Sequence, residues 1–328
     1  MPGSEVLAGL LIGDGLEGVR RRIAFLAKTD LTVLIVGESG VGKELAAQGL
    51  AQLSDRPISR FLPVNAAVLT DTLAESLLFG HVRGAFTGAV ENREGYLGAA
   101  RGGTLFLDEI GDMSAAVQAK LLRIVEGNAF SRVGDTRVLE ADTRLILATN
   151  ADLPSLVRRK RFREDLLHRL MEAVIEIPPL RNRKRDIPLL IDHFMKRVAD
   201  ENGLAPVTWT DASVSLVKRH SWPGNVRQLR NFVSLAMQEF PGEVMSPWRA
   251  AAKIRQSLGL RMKSRGTAPT RNEIEGAVRQ AAGNISKASE LLGVSRRHMY
   301  RLLGASASGD KTLRRPQYPA SKRVVGSV

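Results

Sequence analysis

The stretch Gly37-Glu38-Ser39-Gly40-Val41-Gly42-Lys43-Glu44 constrains this chain more than any other, because its spacing is useful only between a buried strand and the start of a helix. Both neighbours are there. Leu31 to Val36 is a short, uncharged, partly β-branched run that reads as a buried parallel strand, and Leu45 to Leu53 continues with helical spacing. Glycines let backbone N–H groups converge on a phosphate at the positive end of a helix, and Lys43 reaches the β- and γ-phosphates. A glycine-rich structural turn is the plain alternative, and the flanking strand and helix weigh against it. Glu44 stands where a Ser or Thr hydroxyl usually meets Mg²⁺, so the metal must depend on another carboxylate and on water.

Thr104 to Leu107 is a second buried-strand pattern and ends in Asp108-Glu109, which places acid at the carboxyl end of a strand, where it faces a ligand crevice. Asp108 would orient Mg²⁺ and its waters, and Glu109 would polarise the water that attacks the γ-phosphate. Arg144 to Thr149 is a third strand and ends in Asn150, a neutral group able to sense a γ-phosphate; Asn65, closing Arg60 to Val64, is a further polar group at a strand end. Between the two halves of this site lies Gly84-Ala85-Phe86-Thr87-Gly88-Ala89, uncharged, with two glycines and one phenylalanine. It reads as a flexible arm with an apolar tip, suited to pressing on a partner rather than to holding a ligand.

Together these pieces resemble the AAA+ ATPases, and the GAFTGA loop narrows the resemblance to the bacterial enhancer-binding activators of sigma-54 RNA polymerase. It covers roughly residues 8 to 304 and is carried by GESGVGKE at Gly37, LFGHVRGAFTGA from Leu78, GGTLFLDEIGD from Gly102, FREDLLHRL from Phe162, PPLRNRKRDI from Pro178 and WPGNVRQL from Trp222. The resemblance implies that Glu44 is the family's own residue, that Asp108 and Glu109 form the Walker B pair, and that Asn150 is sensor I. It further implies that Asn65 restrains the catalytic Glu, that Arg163 and Arg169 are arginine fingers reaching a neighbour's nucleotide, and that Arg227 is sensor II. The base pocket would use Leu11, Ile12 and Gly13, and the loop Gly84 to Ala89 would contact sigma-54. A guanidinium supplied in trans suits the charge that phosphoryl transfer spreads over equatorial oxygens, and head-to-tail contacts that close give a ring, in this family a hexamer. Read without the resemblance, Arg163 and Arg169 would be surface partners of Glu164 and Asp165.

The net charge of +14 is unevenly placed: residues 250–328 hold five Lys and eleven Arg against three Glu and one Asp, so +12 of it is C-terminal. Such a segment is an electrostatic footprint for nucleic acid, with an anionic membrane as the competing partner. Within it, Asn272 to Ala282 reads as a helix ending at Gly283, Ile285 to Leu292 as a second closed by Gly293, and Ser295 caps a third running to Leu303. Two short helices on a glycine turn read as helix-turn-helix, with Ala288, Leu291, Leu292, Val294, Met299 and Leu302 as its core. Ser295, Arg296, Arg297, His298, Tyr300 and Arg301 fall on or near the DNA side, the first two arginines best placed for base edges. A three-helix cap with merely solvated charges is the other reading. GNISKASELLGVSRRHMYRLL resembles the Fis-type domain that ends these activators, which implies dimeric binding to enhancer DNA.

The fold class expected is therefore α/β: an AAA+ P-loop domain with a parallel sheet over residues 1–178, a helical lid over 179–249, a linker over 250–269, an all-α helix-turn-helix domain over 270–304 and a disordered basic tail over 305–328. Arg183, Lys184 and Arg185 read as a solvated basic patch on the lid. With no cysteine, disulfides, cysteine-held zinc and thiol catalysis are excluded; the five histidines have no metal spacing, and no apolar run approaches membrane-spanning length, so a cytoplasmic protein is expected. The phosphate loop starts so early that no amino-terminal receiver domain is expected, which points to control by a separate inhibitory protein, a paralogue in a mixed ring, or expression level. The function expected is ATP-driven opening of promoters by sigma-54 polymerase. An AAA+ remodeller with another target, or a DNA-binding regulator whose ATPase core is only a platform, would be told apart by the intact GAFTGA loop and by phosphate release.

Overall fold

The computed structural model describes residues 7, 9, 11–66, 74–257, 271–281, 283–292, 299, 300 and 303. Of the expected linker 250–269, residues 250–257 are described and are helical, which corrects that end of it; residues 258–269, the tail 305–328 and the DNA-side residues Ser295, Arg296, Arg297, His298 and Arg301 lie outside the described residues. Five strands, β1 (Val33–Val36), β2 (Phe61–Asn65), β3 (Thr104–Asp108), β6 (Arg144–Thr149) and β7 (Val174–Glu176), form one parallel sheet in the order β2-β3-β6-β1-β7. A small antiparallel pair, β4 (Ala129–Phe130) and β5 (Leu139–Glu140), stands apart from it. The first strand is shorter than the apolar run predicts, because Leu31 is exposed.

Strands covered on both faces need apolar residues at every position, and the side-chain period of two then divides them between two cores. In β3, Leu105 and Leu107 join one cluster and Phe106 the other; in β6, Leu145 and Leu147 divide from Ile146 and Ala148 in the same way. The first cluster is closed by α3 (Ala74–Phe79), α5 (Ala115–Gly127) and α7 (Glu164–Leu170), the second by α1 (Glu17–Leu26) and α2 (Lys43–Gln52). The remaining helices of the α/β core are α4 (Tyr96–Ala99) and α6 (Leu153–Arg158).

Arg144 opens β6 inside this core with 2% of its surface exposed. Its Nη1 and Nη2 donate to the carbonyls of Ala27 and Leu26 at 3.1 and 2.7 Å, supplying donors that the C-terminal carbonyls of α1 lack within the helix. Burial pulls its pKa below the usual guanidinium value. Arg144→Ala leaves a cavity and takes the donor from the buried Ala27 carbonyl, while the Leu26 carbonyl keeps the Thr29 amide and hydroxyl, and is expected to cost about 3 kcal/mol, read as a lower midpoint in urea denaturation.

The chain divides into two compact units, residues 1–207 with 217–242, and residues 208–216 with 243–328. The first contains the α/β core and two long helices packed on each other, α8 (Ile187–Asn202) and α10 (Asn225–Glu239). The boundary after Leu216 falls inside α9 (Asp211–Arg219). The second unit pairs β8 (Thr208–Trp209) with β9 (Val244–Met245) in parallel and contains α11 (Pro247–Ser257).

Farther along the second unit, α12 (Arg271–Gln280) and α13 (Ile285–Leu292) meet around Ile274, Ala277, Ala281, Ala288 and Met299, with Leu292 partly buried against them. Gly283 turns the chain at φ +81°, and its N–H bonds back to the Val278 carbonyl at 2.9 Å, the helix stop expected there. Ala288, Leu292 and Met299 were foreseen in this core; Ile274, Ala277 and Ala281 of the preceding helix were not. Val294 and Leu302 lie outside the described residues. Tyr300 is 49% exposed. Among the described residues no helix is long and apolar enough to cross a membrane.

Candidate functional site

The phosphate loop leaves β1 where that strand lies between β6 and β7, and it leads into α2 with Lys43 as the first helical residue. Gly40 has φ +78°, and a Cβ on it would lie 2.5 Å from the Gly224 carbonyl oxygen, so only glycine lets the loop come this close to the start of α10. There the Gly40 carbonyl accepts from the amides of Val226 and Arg227 at 3.0 and 3.3 Å.

Lys43 is only 6% exposed. Its ammonium donates to the Gly37 carbonyl at 3.1 Å and stands 3.7 Å from Glu109 Oε1. Asn65 and Asp108 are register partners at the ends of β2 and β3, so the strand that carries the acids and the strand that carries the amide end side by side. Glu109 follows in the left-handed region at φ 59°, its amide donating to Asp108 Oδ1 at 2.9 Å, while its Oε2 accepts the Asn150 backbone amide at 3.3 Å. A non-glycine residue held in that region stores strain, and such residues cluster where a side chain must be aimed.

A cavity of about 1000 Å³ opens over these groups. Ser39 to Glu44, Asn65, Asp108, Glu109 and Arg227 line it, together with the apolar Leu11, Ile12, Leu16, Leu190 and Phe194. These apolar side chains have the composition of a base pocket. His193 also lines it, edge-on to Phe194 at 5.4 Å, and burial, aided by the neighbouring Arg197 cation, pushes its pKa below the ordinary imidazole value. Arg227 Nη1 reaches Ser39 Oγ at 3.0 Å.

Several predicted residues stand elsewhere. Asn150, Gly13, Gly37 and Glu38 are not in the cavity wall, and neither are Arg163 and Arg169. Arg163 makes a two-point bond to Asp165 at 3.0 and 2.7 Å. Arg169 pairs with Glu172 at 3.1 Å and Glu126 at 3.5 Å, rather than with Glu164. Both arginines are largely solvent-exposed, so the hydrogen bonds they donate to their carboxylate partners raise their pKa values without making the pairs strong anchors.

The solvated basic patch is corrected at one of its three positions. Lys184 and Arg185 are exposed, but Arg183 is buried at 5% exposure. Its Nη2 donates to the Val41 carbonyl of the phosphate loop at 3.2 Å, and its Nη1 stands 3.6 Å from Asp186, itself buried. Asp186 Oδ1 accepts the Gly15 amide at 3.1 Å, and a Cβ on Gly13 would lie 2.1 Å from the Asp186 carboxyl carbon. Arg183 therefore props the phosphate loop while Asp186 fixes the turn beside Ile12, a role that three adjacent basic letters do not reveal. Burial lowers the Arg183 pKa, and the Asp186 charge opposes that.

The loop Gly84 to Ala89 is a folded hairpin rather than a free arm. Gly84 N–H donates to the Ala89 carbonyl at 2.9 Å and Ala89 N–H to the Phe86 carbonyl at 3.0 Å. Phe86, 37% exposed, rests edge-on against His81 with ring centroids 5.1 Å apart, and His81 Nδ1 shares a hydrogen bond of 2.7 Å with Ser76 Oγ. Ala89 is buried, so the surface on offer is Gly84, Phe86, Thr87 and Gly88. Among the described residues no cluster of His, Asp and Glu could hold a metal without help from a ligand.

Comparison with known proteins follows the same divisions. Residues 13–176 match the Sigma-54 interaction domain, residues 181–260 the AAA+ ATPase lid domain, and residues 271–304 the Bacterial regulatory protein, Fis family. The chain is 40% identical over 304 residues to the transcriptional regulatory protein ZraR of Salmonella typhimurium, covering 90% of this chain and 69% of that one. It is 48% identical over 210 residues to the Nif-specific regulatory protein of Azotobacter vinelandii, covering 64% of this chain and 40% of that one. The crystal structure of NtrX from Brucella abortus in complex with ATP superposes with a TM-score of 0.65 at 31% identity, over 90% of this chain and 68% of that one. With a parallel-sheet ATPase core, an AAA+ lid and a Fis-type helix-turn-helix in one chain, the protein belongs to the sigma-54-dependent family of ATP-hydrolysing, DNA-binding transcriptional activators.

Proposed function

We propose that this chain assembles head-to-tail into a hexameric ring, hydrolyses ATP at the contacts between subunits, and uses the work to remodel the closed complex of sigma-54 RNA polymerase. The observation that carries the proposal is a site only half built within one chain. Lys43, Asp108, Glu109 and Arg227 surround the cavity, while Arg163 and Arg169 stand outside it on weak surface pairs from which a neighbour's nucleotide can draw them.

The donor set fits a triphosphate carrying a hard divalent cation: Asp108 and phosphate oxygens would hold Mg²⁺, and its charge offsets that developing on the phosphates. Lys43 binds the β- and γ-phosphates, the loop amides and the start of α2 orient them, and Arg227 of α10 closes over them. Glu109 takes the proton of the attacking water. Asn65, register partner of Asp108, and Asn150, whose amide holds Glu109, carry the state of the γ-phosphate outward to the hairpin that presents Phe86 and Thr87 to sigma-54. Residues 1–178 are the ATPase subdomain, 179–249 with the rest of α11 its lid, and 270–304, reached through the remainder of the expected linker 250–269, the part that grips enhancer DNA; 305–328 is a tail. The protein acts in the cytoplasm, and a paralogue in the ring or a separate inhibitory protein would act on the contacts that complete the site.

Mixing tests the shared site. Lys43→Ala and Arg163→Ala are each expected to abolish phosphate release alone. Mixed in equal parts, they should regain about a quarter of the activity, because about one contact in four then joins an intact loop to an intact finger. A mixture as silent as its components would contradict a site shared between subunits.

A further inference from the structure

The loop that receives an anion carries an acid of its own. Glu38 stands directly after Gly37, and an unpaired carboxylate there repels a polyphosphate. Arg181 Nη1 and Nη2 donate to its two oxygens at 2.7 and 2.6 Å, and Asn225 Nδ2 donates to Oε2 at 3.1 Å. These bonds, from Arg181 first and Asn225 second, hold the carboxyl down to about 2 from the ordinary value of 4.5, so the group is charged and paired at neutral pH.

Asn225 does more than assist. Its Nδ2 also donates to the Ser39 carbonyl at 3.1 Å, and its Oδ1 accepts the Leu180 amide at 2.8 Å. It is fully buried at φ 49°, a strained conformation for a non-glycine residue that persists only where the surroundings fix it. It opens α10, two residues before Arg227, so one side chain joins the phosphate loop, the segment after β7 and the helix that carries the nucleotide-facing arginine.

We infer that Arg181 and Asn225 are positioning residues for nucleotide binding: they hold the Glu38 carboxylate so that its charge is cancelled, and they tie the phosphate loop to the helix bearing Arg227. The inference deepens the ATP-site reading and rests on it. The two side chains of the ion pair keep 44% and 41% of their surface exposed, so the pair adds little to folding stability and its value lies in where it keeps the charge. The two-point guanidinium geometry makes Lys a poor substitute.

Binding of a fluorescent ATP analogue to the full chain tests this without turnover. Arg181→Gln is expected to raise Kd about fivefold at low salt and less at high salt, because it leaves the carboxylate without its counter-charge one residue from the cavity-lining part of the phosphate loop. Adding Glu38→Gln to Arg181→Gln should restore Kd to within about twofold of the parent, since the repelling charge has gone. An unchanged Kd in Arg181→Gln, or a double variant as weak as the single, would overturn the charge-holding role. The tie is read separately: in Asn225→Gly, which keeps the left-handed backbone and removes the joining side chain, the amides of Val226 and Arg227, bonded to the Gly40 carbonyl, should exchange with deuterium at least about threefold faster, and unchanged exchange would overturn it. Lys43→Ala serves as the control. If it binds the analogue as tightly as the parent, the ATP site itself is misplaced and the inference falls with it, whatever Arg181→Gln does.

Discussion

Glu109→Gln is expected to lower ATP turnover about a thousandfold while leaving nucleotide affinity within a few fold of the parent. Gln keeps the shape of the side chain and its ability to accept the Asn150 amide, but it cannot take a proton from water. The resting position of Glu109 explains why loss of the carboxylate matters more than loss of a contact. Its Oε1 lies 3.7 Å from the Lys43 ammonium, an attraction that a bound triphosphate would outcompete, leaving the carboxylate free to turn toward the water. The left-handed backbone at Glu109 fixes where it can turn. Steady-state phosphate release and equilibrium binding measured on the same preparation check the split; parallel losses in both would place Glu109 in binding rather than in chemistry.

Thr87→Ala is expected to keep at least about half of the ATPase activity and to lose promoter opening by about a hundredfold or more. Thr87 is exposed at the tip of the hairpin, and no hydrogen bond ties its side chain to the nucleotide cavity. Removing its hydroxyl and methyl therefore spares the engine and alters only the surface offered to sigma-54. Phe86 is the less clean choice, since its ring is part of the hairpin's own packing on His81. ATPase and open-complex formation falling together would show that the hairpin and the hydrolytic site are not separable.

The ATPase core was legible because its signals are local. Apolar runs gave β1, β3 and, behind Arg144, β6, and each acid or amide read at a strand end lies there, since a parallel strand aims its carboxyl end at the crevice whatever packs around it. Contacts across great sequence distance were not legible. Arg183 and Val41 are 142 positions apart, and Asn225 and Glu38 are 187 apart. A run of Arg and Lys carries no period to separate the buried one from its solvated neighbours; the one cue was Asp186, placed to pair with Arg183 across a turn. Glu38 was read as one more phosphate-loop position, although it is an acid at an anion site and needs cations to hold it. The hairpin's folding escaped for the opposite reason. Gly and Ala suggest freedom, and the backbone bonds that close the loop leave no mark on composition.

The most direct test of the account is ATP-dependent conversion of a sigma-54 holoenzyme closed complex to the open form on a premelted promoter, with the intact protein beside Glu109→Gln and Thr87→Ala. The account predicts conversion by the intact protein alone, with ATPase activity surviving only in Thr87→Ala among the two variants. ATP hydrolysis by the intact protein with no conversion of the closed complex would contradict it.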